Sequence, residues 1–363
     1  MFLINTNLKR LIGALPHRVK IDRQYVGPGE SVYVIAEIGL NHNGDIELAK
    51  KLITEAKIAG ADAVKFQKRT TQDILTQAAL QAPYTSPSAM APTYGEHREK
   101  LEFNLDQYKE LLAFANQLGV TFFASVWDQR SADLMEEIGI HAYKVPSADL
   151  TNLPLLEYVA KKNKPILIST GMCTLDEIDE AVETVLRFNP RLIVNHCVSL
   201  YPCPEDKLNL KALPMLADRY RPLPLGYSGH ETTLEPTLAA VAMGACLVER
   251  HITLDRTMRG PDHKASLEIP ELAKLVTDIR RLEKSFGQPI KLIYPEEVPM
   301  REKLAKSIVA RDFIPAGTSI TMDMLTLKSP AKGLMARSLP ILVGRKTKQD
   351  IQSDTLITFD LLD

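Results

Sequence analysis

Residues 33–44 read YVIAEIGLNHNG. A run of β-branched, aromatic and apolar side chains broken by one carboxylate has the pattern of a strand buried on both faces. The turn after it is GLNHNG, not the GxGxxG with which a dinucleotide-binding open sheet leaves its first strand. Comparable runs recur at 63–67 (AVKFQ), 121–125 (TFFAS), 142–145 (AYKV), 165–169 (PILIS), 192–195 (LIVN), 223–227 (LPLGY) and 246–250 (CLVER). Between them lie stretches of helical period at 46–59, 105–118, 131–137, 175–188 and 233–243. Eight strand runs interspersed with such helical stretches over about 255 residues predict an α/β fold of the (β/α)8 TIM-barrel type rather than a doubly wound sheet.

Outside the barrel, 31–287, the chain divides into an N-terminal extension, 1–30, a linker, 288–303, and a β-rich module, 304–363. The linker is expected to be extended because Pro289, Pro295 and Pro299 interrupt it and no period runs through it. The module's short strands and turns make a domain of about 60 residues that is marginal alone. A long interruption after the second strand, 69–104, is expected to serve function or reach a partner.

The 44 basic and 45 acidic residues nearly cancel, so no strong field favours nucleic acid or an anionic membrane, and neither is an expected partner. No run of 18 apolar residues and no signal-peptide pattern is present, and the four cysteines form no CxxC pair. These features predict reduced thiols and a cytoplasmic location.

A barrel places its chemistry at the C-terminal ends of its strands, where polar residues gather in this sequence. Glu37, Lys65, Gln67, Lys144, Ser147, Ser169, His196, Ser199, Ser228, His230, Glu249 and His251 all end or follow strands. His230 and His251, on neighbouring strands, suit one hydrated divalent ion, Mn²⁺ or Mg²⁺, because no cysteine is placed to close a zinc site. Lys65 and Lys144 sit inside apolar runs and call for a compensating anion. That anion is either a phosphate, with Ser147, Ser169 and Ser228 as further donors, or the carboxylates of Glu37 and Glu249. Glu37 can bind a sugar hydroxyl, relay a proton or pair with Lys65. Asp149 and Asp262 lie in loops where a turn-forming aspartate is commonplace.

The strings AEIGLNHNGD (36–45), ADAVKFQK (61–68), TYGEHREKLEF (93–103), YKVPSAD (143–149), ISTGM (168–172), GYSGHET (226–232), VERHITLDRTMRGPDHKASLE (248–268) and AKSIVARDFIPAGTSITMDML (305–325) resemble the sialic acid synthase family. The likeness runs from about residue 30 to the end, and the last 60 or so residues resemble its antifreeze-like (SAF, β-clip) domain. The resemblance implies condensation of phosphoenolpyruvate with the open-chain aldehyde of N-acetylmannosamine or its 6-phosphate, with a divalent metal as Lewis acid and loss of phosphate by C–O cleavage. Position by position it assigns Lys65, Lys144, Ser147, Ser169, Ser199 and Ser228 to phosphoenolpyruvate. It assigns Gln67, Asp149, Tyr201, Glu249 and Asp262 to the sugar, Glu37, His230 and His251 to catalysis, and the two histidines to the metal. It also implies a domain-swapped homodimer in which each SAF domain covers its partner's barrel mouth. Three positions depart from the bacterial free-sugar enzymes: Ser199 replaces an asparagine, Asp149 a glutamate, and Ser329, beside Lys328 and Lys332, an arginine. Sugar phosphorylation therefore stays open, as do related nonulosonic acids of the legionaminic, pseudaminic or KDN type. A pyruvate-dependent metal aldolase is the remaining enzymatic alternative, and it leaves the lysine and serine ring unused.

Overall fold

The computed structural model describes residues 6–13 and 15–363. Residues 1–5 and 14 of the N-terminal extension lie outside it. The chain forms two compact units, Met1–Phe286 and Gly287–Asp363.

In the first unit eight parallel strands close on themselves: β1 (Tyr33–Gly39), β2 (Ala63–Lys68), β3 (Thr121–Val126), β4 (Tyr143–Val145), β5 (Ile166–Ser169), β6 (Leu192–Cys197), β7 (Leu225–Gly229) and β8 (Leu247–Thr253). Each pairs with the next, and β8 pairs with both β7 and β1, so the sheet has no free edge. The expected barrel is thus present, with strands six and eight running two or three residues further than the apolar pattern indicated. Of the extra residues, His196 and Cys197 in β6 and His251 and Thr253 in β8 are polar or half-polar side chains that the pattern discounts, and Ile252 lies between the last two.

The covering helices begin where the chain supplies acceptors for their first N–H groups. Asp45 caps Ile46–Ile58 through Glu47 N and Leu48 N, and Asn104 with Gln107 forms a capping box on Leu105–Leu118. Gly119, at φ 66°, ends the second of these in the left-handed conformation that a Cβ disfavours. The helix expected at 131–137 starts earlier, at Gln129, because Asp128 accepts from Ser131 N and sets its N-cap. The helix expected at 233–243 is shorter, Glu235–Ala242.

The N-terminal extension is part of this unit. Leu8, Ile12, Val19, Ile21 and Val26 are buried in the barrel's hydrophobic core. A hairpin of Val19–Ile21 and Gln24–Val26 meets the strand starts: Thr121 Oγ1 donates to Asp22 (3.3 Å) and Gln24 Nε2 to Asp62 (3.1 Å). It therefore caps the end of the barrel opposite the one that carries chemistry.

The interruption at 69–104 contains short helices at Thr71–Ile74, Gln77–Gln81 and Tyr94–Lys100, the last closed by a Thr93–Glu96 capping box. Tyr84 stacks on His97 at 4.5 Å and lies 5.3 Å from Tyr94, holding the segment together.

In the second unit β9 (Ser307–Ala310) pairs antiparallel with β10 (Leu325–Lys328) over a small core that includes Ile308, Ile314, Ile320, Leu342, Ile351 and Ile357. The segment expected to be extended, 288–303, instead includes a 3-10 turn, Pro295–Glu297, and a helix, Val298–Leu304. Proline is tolerated in a helix's first turn, where its missing N–H is not needed, so Pro299 starts this helix rather than preventing it.

Candidate active site

A cavity of about 290 Å³ opens at the C-terminal ends of the strands. Strand register builds it: His251 lies opposite Glu37, Glu37 opposite Lys65, Glu249 opposite Ser228, and Ser125 opposite Lys144. Alternate residues of a strand share a face, so Glu249 and His251 of β8, and Lys65 and Gln67 of β2, point inward together.

Two buried lysines and two buried glutamates form the floor. Lys65 Nζ is 2.8 Å from Glu37 Oε2, 3.5 Å from Glu249 Oε1, and donates to Ser125 Oγ at 2.8 Å. Lys144 Nζ donates to both Glu249 oxygens, at 2.9 and 3.0 Å, and Ser228 Oγ donates to the same carboxylate at 3.2 Å. Gln67 Nε2 donates to Glu37 Oε1 at 2.9 Å. Burial opposes every one of these charges. For Lys65 the carboxylates of Glu249 and Glu37 outweigh burial and raise its pKa, whereas burial, aided by Lys65, lowers that of Lys144. Burial pushes Glu37 up to about 7 against the pull of Lys65. Burial acts on Glu249 too, but the Lys144 and Lys65 ammonium groups hold its carboxyl down at about 2.

The Glu37 shift has a sign that can be measured. A carboxyl whose folded pKa stands above its ordinary 4.5 stabilises the fold most below that pH, and the contribution is lost as pH rises through about 7. Glu37→Gln is expected to flatten the loss of stability between those two values in urea unfolding. An unchanged slope would show that Glu37 titrates elsewhere.

The serines line one wall. Ser147 Oγ accepts from Gly171 N at 3.0 Å, and Ser169 Oγ is buried without a hydrogen-bond partner. A Cβ on Gly171 would stand 2.3 Å from Ser199 Oγ and 2.9 Å from Ser147 Oγ, so this glycine lets the backbone approach both hydroxyls.

The two imidazoles face each other with ring centroids 5.4 Å apart, and Tyr201 covers them at 4.0 Å from His230 and 6.0 Å from His251. His230 Nδ1 donates to the Val198 carbonyl at 2.8 Å, so in the neutral ring Nε2 carries the lone pair. His251 Nδ1 and Asp262 Oδ2 lie 3.8 Å apart, both buried without a hydrogen-bond partner. Burial takes His251 down to about 3, which keeps its ring neutral, the form that ligates metal. Gly39, at φ 57°, packs against both groups: a Cβ there would be 3.0 Å from Asp262 Oδ2 and 3.2 Å from His251 Nδ1. Among the described residues no group of three or more His, Cys, Asp or Glu side chains is placed to hold an ion. The two facing imidazoles are nitrogen donors of the kind that ligate divalent ions, and an ion held by them would need oxygen ligands from water or substrate for its other positions.

Of the residues selected by sequence, Glu37, Lys65, Gln67, Lys144, Ser147, Ser169, Ser199, Tyr201, Ser228, His230, Glu249, His251 and Asp262 line this cavity. Asp149 does not. It follows Ser147 in a 3-10 turn, whose successive side chains point about 120° apart, and it accepts from Asn152 Nδ2 at 3.1 Å beside a separate cavity. His196 also faces away, its Nε2 against the Leu208 carbonyl at 2.8 Å. Sequence reasoning passed over Arg69, Arg98, Ser125, Trp127 and Cys197, which line the cavity as well. Ser125 stands one residue from the end of β3 and Cys197 ends β6, so the strand-end rule applied to them; Arg69, Arg98 and Trp127 lie just beyond strand ends or in the interruption, where no period marks them. All four cysteines are free thiols. No helix among the described residues is long and apolar enough to cross a membrane.

Comparison with known proteins identifies the family. The NeuB family matches residues 52–291 and the SAF domain residues 305–363. The chain is 43% identical over 335 residues to the N-acetylneuraminate-9-phosphate synthase of Mus musculus, covering 92% of this chain and 93% of that protein. It is 40% identical to the N,N'-diacetyllegionaminic acid synthase of Campylobacter jejuni, covering 89% and 98%. The crystal structure of the sialic acid synthetase of Leptospira borgpetersenii, in complex with citrate, superposes with a TM-score of 0.70 at 33% identity, covering 78% of this chain and 94% of that one. The barrel, the lysine-rich mouth and these likenesses coincide in one chain, which belongs to the NeuB family of sialic acid synthases and ends in a SAF domain.

Proposed function

We propose that this enzyme joins C3 of phosphoenolpyruvate to the aldehyde carbon of open-chain N-acetylmannosamine or its 6-phosphate. Water adds at C2, phosphate leaves by C–O cleavage, and N-acetylneuraminate or its 9-phosphate is formed. The observation that carries the reading is the pair of buried lysines on the cavity floor beside an unpartnered serine hydroxyl, Ser169. Buried ammonium groups converging on a cleft are suited to an anionic substrate, and these can exchange their glutamate partners for phosphate and carboxylate oxygens.

Lys65, Lys144, Ser147, Ser169, Ser199 and Ser228 hold phosphoenolpyruvate in this reading, and Gln67, Tyr201 and Asp262 face the sugar. Glu37, with a pKa near 7, can hold or give up a proton at the new hydroxyl. Glu249 fixes the two lysines rather than the sugar. A Mn²⁺ or Mg²⁺ ion bound by His230 and His251 supplies Lewis acidity toward the aldehyde oxygen. A related nonulosonic acid as product is the second reading, favoured by the 40% identity to a diacetyllegionaminic acid synthase. A paired assembly belongs to the same proposal. It is supported by exposed apolar side chains close together in sequence, among them Ile290 (67% exposed), Tyr294 (58%) and Met300 (57%).

Phosphate release from phosphoenolpyruvate tests the reaction. Release is expected only when a hexosamine and a divalent ion are both present, with ¹⁸O placed at the C2–O bridge leaving in phosphate. His251→Ala is expected to abolish ion-dependent turnover while its melting curve matches the parent's. Consumption of pyruvate in place of phosphoenolpyruvate, or failure of every N-acylated hexosamine, would sink the reading.

A further inference from the structure

Lys65 and Gln67 point inward from one face of β2, and Arg69 follows just past the strand's last residue, Lys68, where it lines the cavity at the barrel's mouth. Gln67 ties the levels together: its Nε2 donates to Glu37 on the floor, and its Oε1 accepts from Arg69 Nη2. Arg69 is only 3% exposed, and its guanidinium stacks on the Trp127 ring at 4.3 Å. Yet its Nε and Nη1 have no hydrogen-bond partner, and neither does Trp127 Nε1. Three buried donors without acceptors, lining one cavity, are costly unless a ligand supplies the acceptors.

The charges point to what that ligand is. Two carboxylates lie nearby, Glu102 and Asp262; Lys68 Nζ donates to Glu102 Oε2 at 2.9 Å, while Arg69 Nη1 reaches Glu102 Oε1 only at 3.5 Å. Arg98, from the helix Tyr94–Lys100, also lines the cavity and donates through Nε and Nη2 to Tyr94 Oη, a neutral group, at 2.9 and 2.5 Å. Lys68, Arg69 and Arg98 thus stand with two carboxylates, and neither accepts a hydrogen bond from Arg69 Nε or Nη1. Burial and the neighbouring Arg98 charge both disfavour the charge on Arg69. A bidentate oxyanion satisfies the guanidinium geometry and the excess charge together.

We infer that Arg69 and Arg98, floored by Trp127, form a subsite for the phosphate at the end of the hexosamine chain remote from its aldehyde. The inference rests on the condensation proposed above for its sugar, and it selects the 6-phosphate over the free sugar. The aldehyde lies at the floor beside Glu37 and the histidines, Gln67 spans the middle, and the phosphate meets the arginines at the rim.

Trp127 is the chain's single tryptophan, so its emission reports on this subsite without turnover. N-acetylmannosamine 6-phosphate and N-acetylmannosamine are titrated separately into the full chain, with no phosphoenolpyruvate present. The phosphorylated sugar is expected to bind about tenfold or more tightly, as charge-assisted contacts to two guanidiniums require. In Arg69→Gln that ratio is expected to collapse toward one. Arg98→Gln, at a half-exposed helix position, is expected to reduce it in a protein with the parent's melting curve. Equal affinities in the parent, or a ratio preserved in both variants, overturn the subsite. If no aldose releases phosphate from phosphoenolpyruvate but the emission still prefers the phosphorylated sugar, the subsite stands and the condensation falls. If the free sugar is turned over and no preference exists, the condensation stands and the subsite falls.

Discussion

Lys144→Met is expected to lower kcat/KM for phosphoenolpyruvate by about 10²- to 10³-fold, roughly 3 to 4 kcal/mol of lost stabilisation. The loss has two sources. Lys144 donates to both oxygens of Glu249, and methionine fills the same space with no charge for a phosphate. It also strands Glu249, a buried carboxylate that then keeps only Ser228 at 3.2 Å and Lys65 at 3.5 Å and repels an incoming anion. The second source can be separated from the first. Glu249→Gln in the Lys144→Met background removes the stranded charge, so the double variant is expected to bind phosphoenolpyruvate better than the single one while remaining slow. Steady-state kinetics with each substrate varied in turn will check this. A single variant within threefold of the parent would place Lys144 outside the phosphoenolpyruvate site.

The second large effect is on stability. Arg250 and Glu231 are both buried, and Arg250 Nη1 lies 3.0 Å from Glu231 Oε1. Thr237 Oγ1 accepts from Arg250 Nη1 at 2.7 Å and donates to Glu231 Oε1 at 2.9 Å, while Tyr227 Oη donates to Glu231 Oε2 at 2.9 Å. Arg250 Nη2 also donates to the Glu231 carbonyl. The side chains lie beside the site but line no part of the cavity. Glu231→Ala leaves a buried guanidinium without its counter-charge and is expected to destabilise the barrel by about 3 to 5 kcal/mol. Glu231→Gln keeps an acceptor for Tyr227 or Thr237 and is expected to cost less. Urea unfolding followed by circular dichroism decides it; an alanine variant within about 1 kcal/mol of the parent would mean that water replaces the carboxylate.

Residues whose role is written in local pattern were legible. Eight apolar runs separated by helical periods suffice for a closed barrel, because a strand buried on both faces differs from an amphipathic helix over a few residues. A lysine within such a run, as at Lys65 and Lys144, announces its own burial problem. The segment 69–104 was legible only as an interruption, since helices of four to seven residues complete too few turns to show a period. For the same reason the helix Val298–Leu304 went unseen behind its prolines.

From the order of residues alone came the barrel, the SAF domain and the polar strand ends from which the cavity is built. Tertiary structure decided which of them meet. It put Asp149 on the far side of a 3-10 turn, made Glu249 the common partner of both lysines, and brought Arg69, Trp127 and Arg98 together on one cavity. Periodicity records which way a side chain points from its own backbone. The distance between side chains from different strands and loops depends on barrel closure and register, which no local pattern contains.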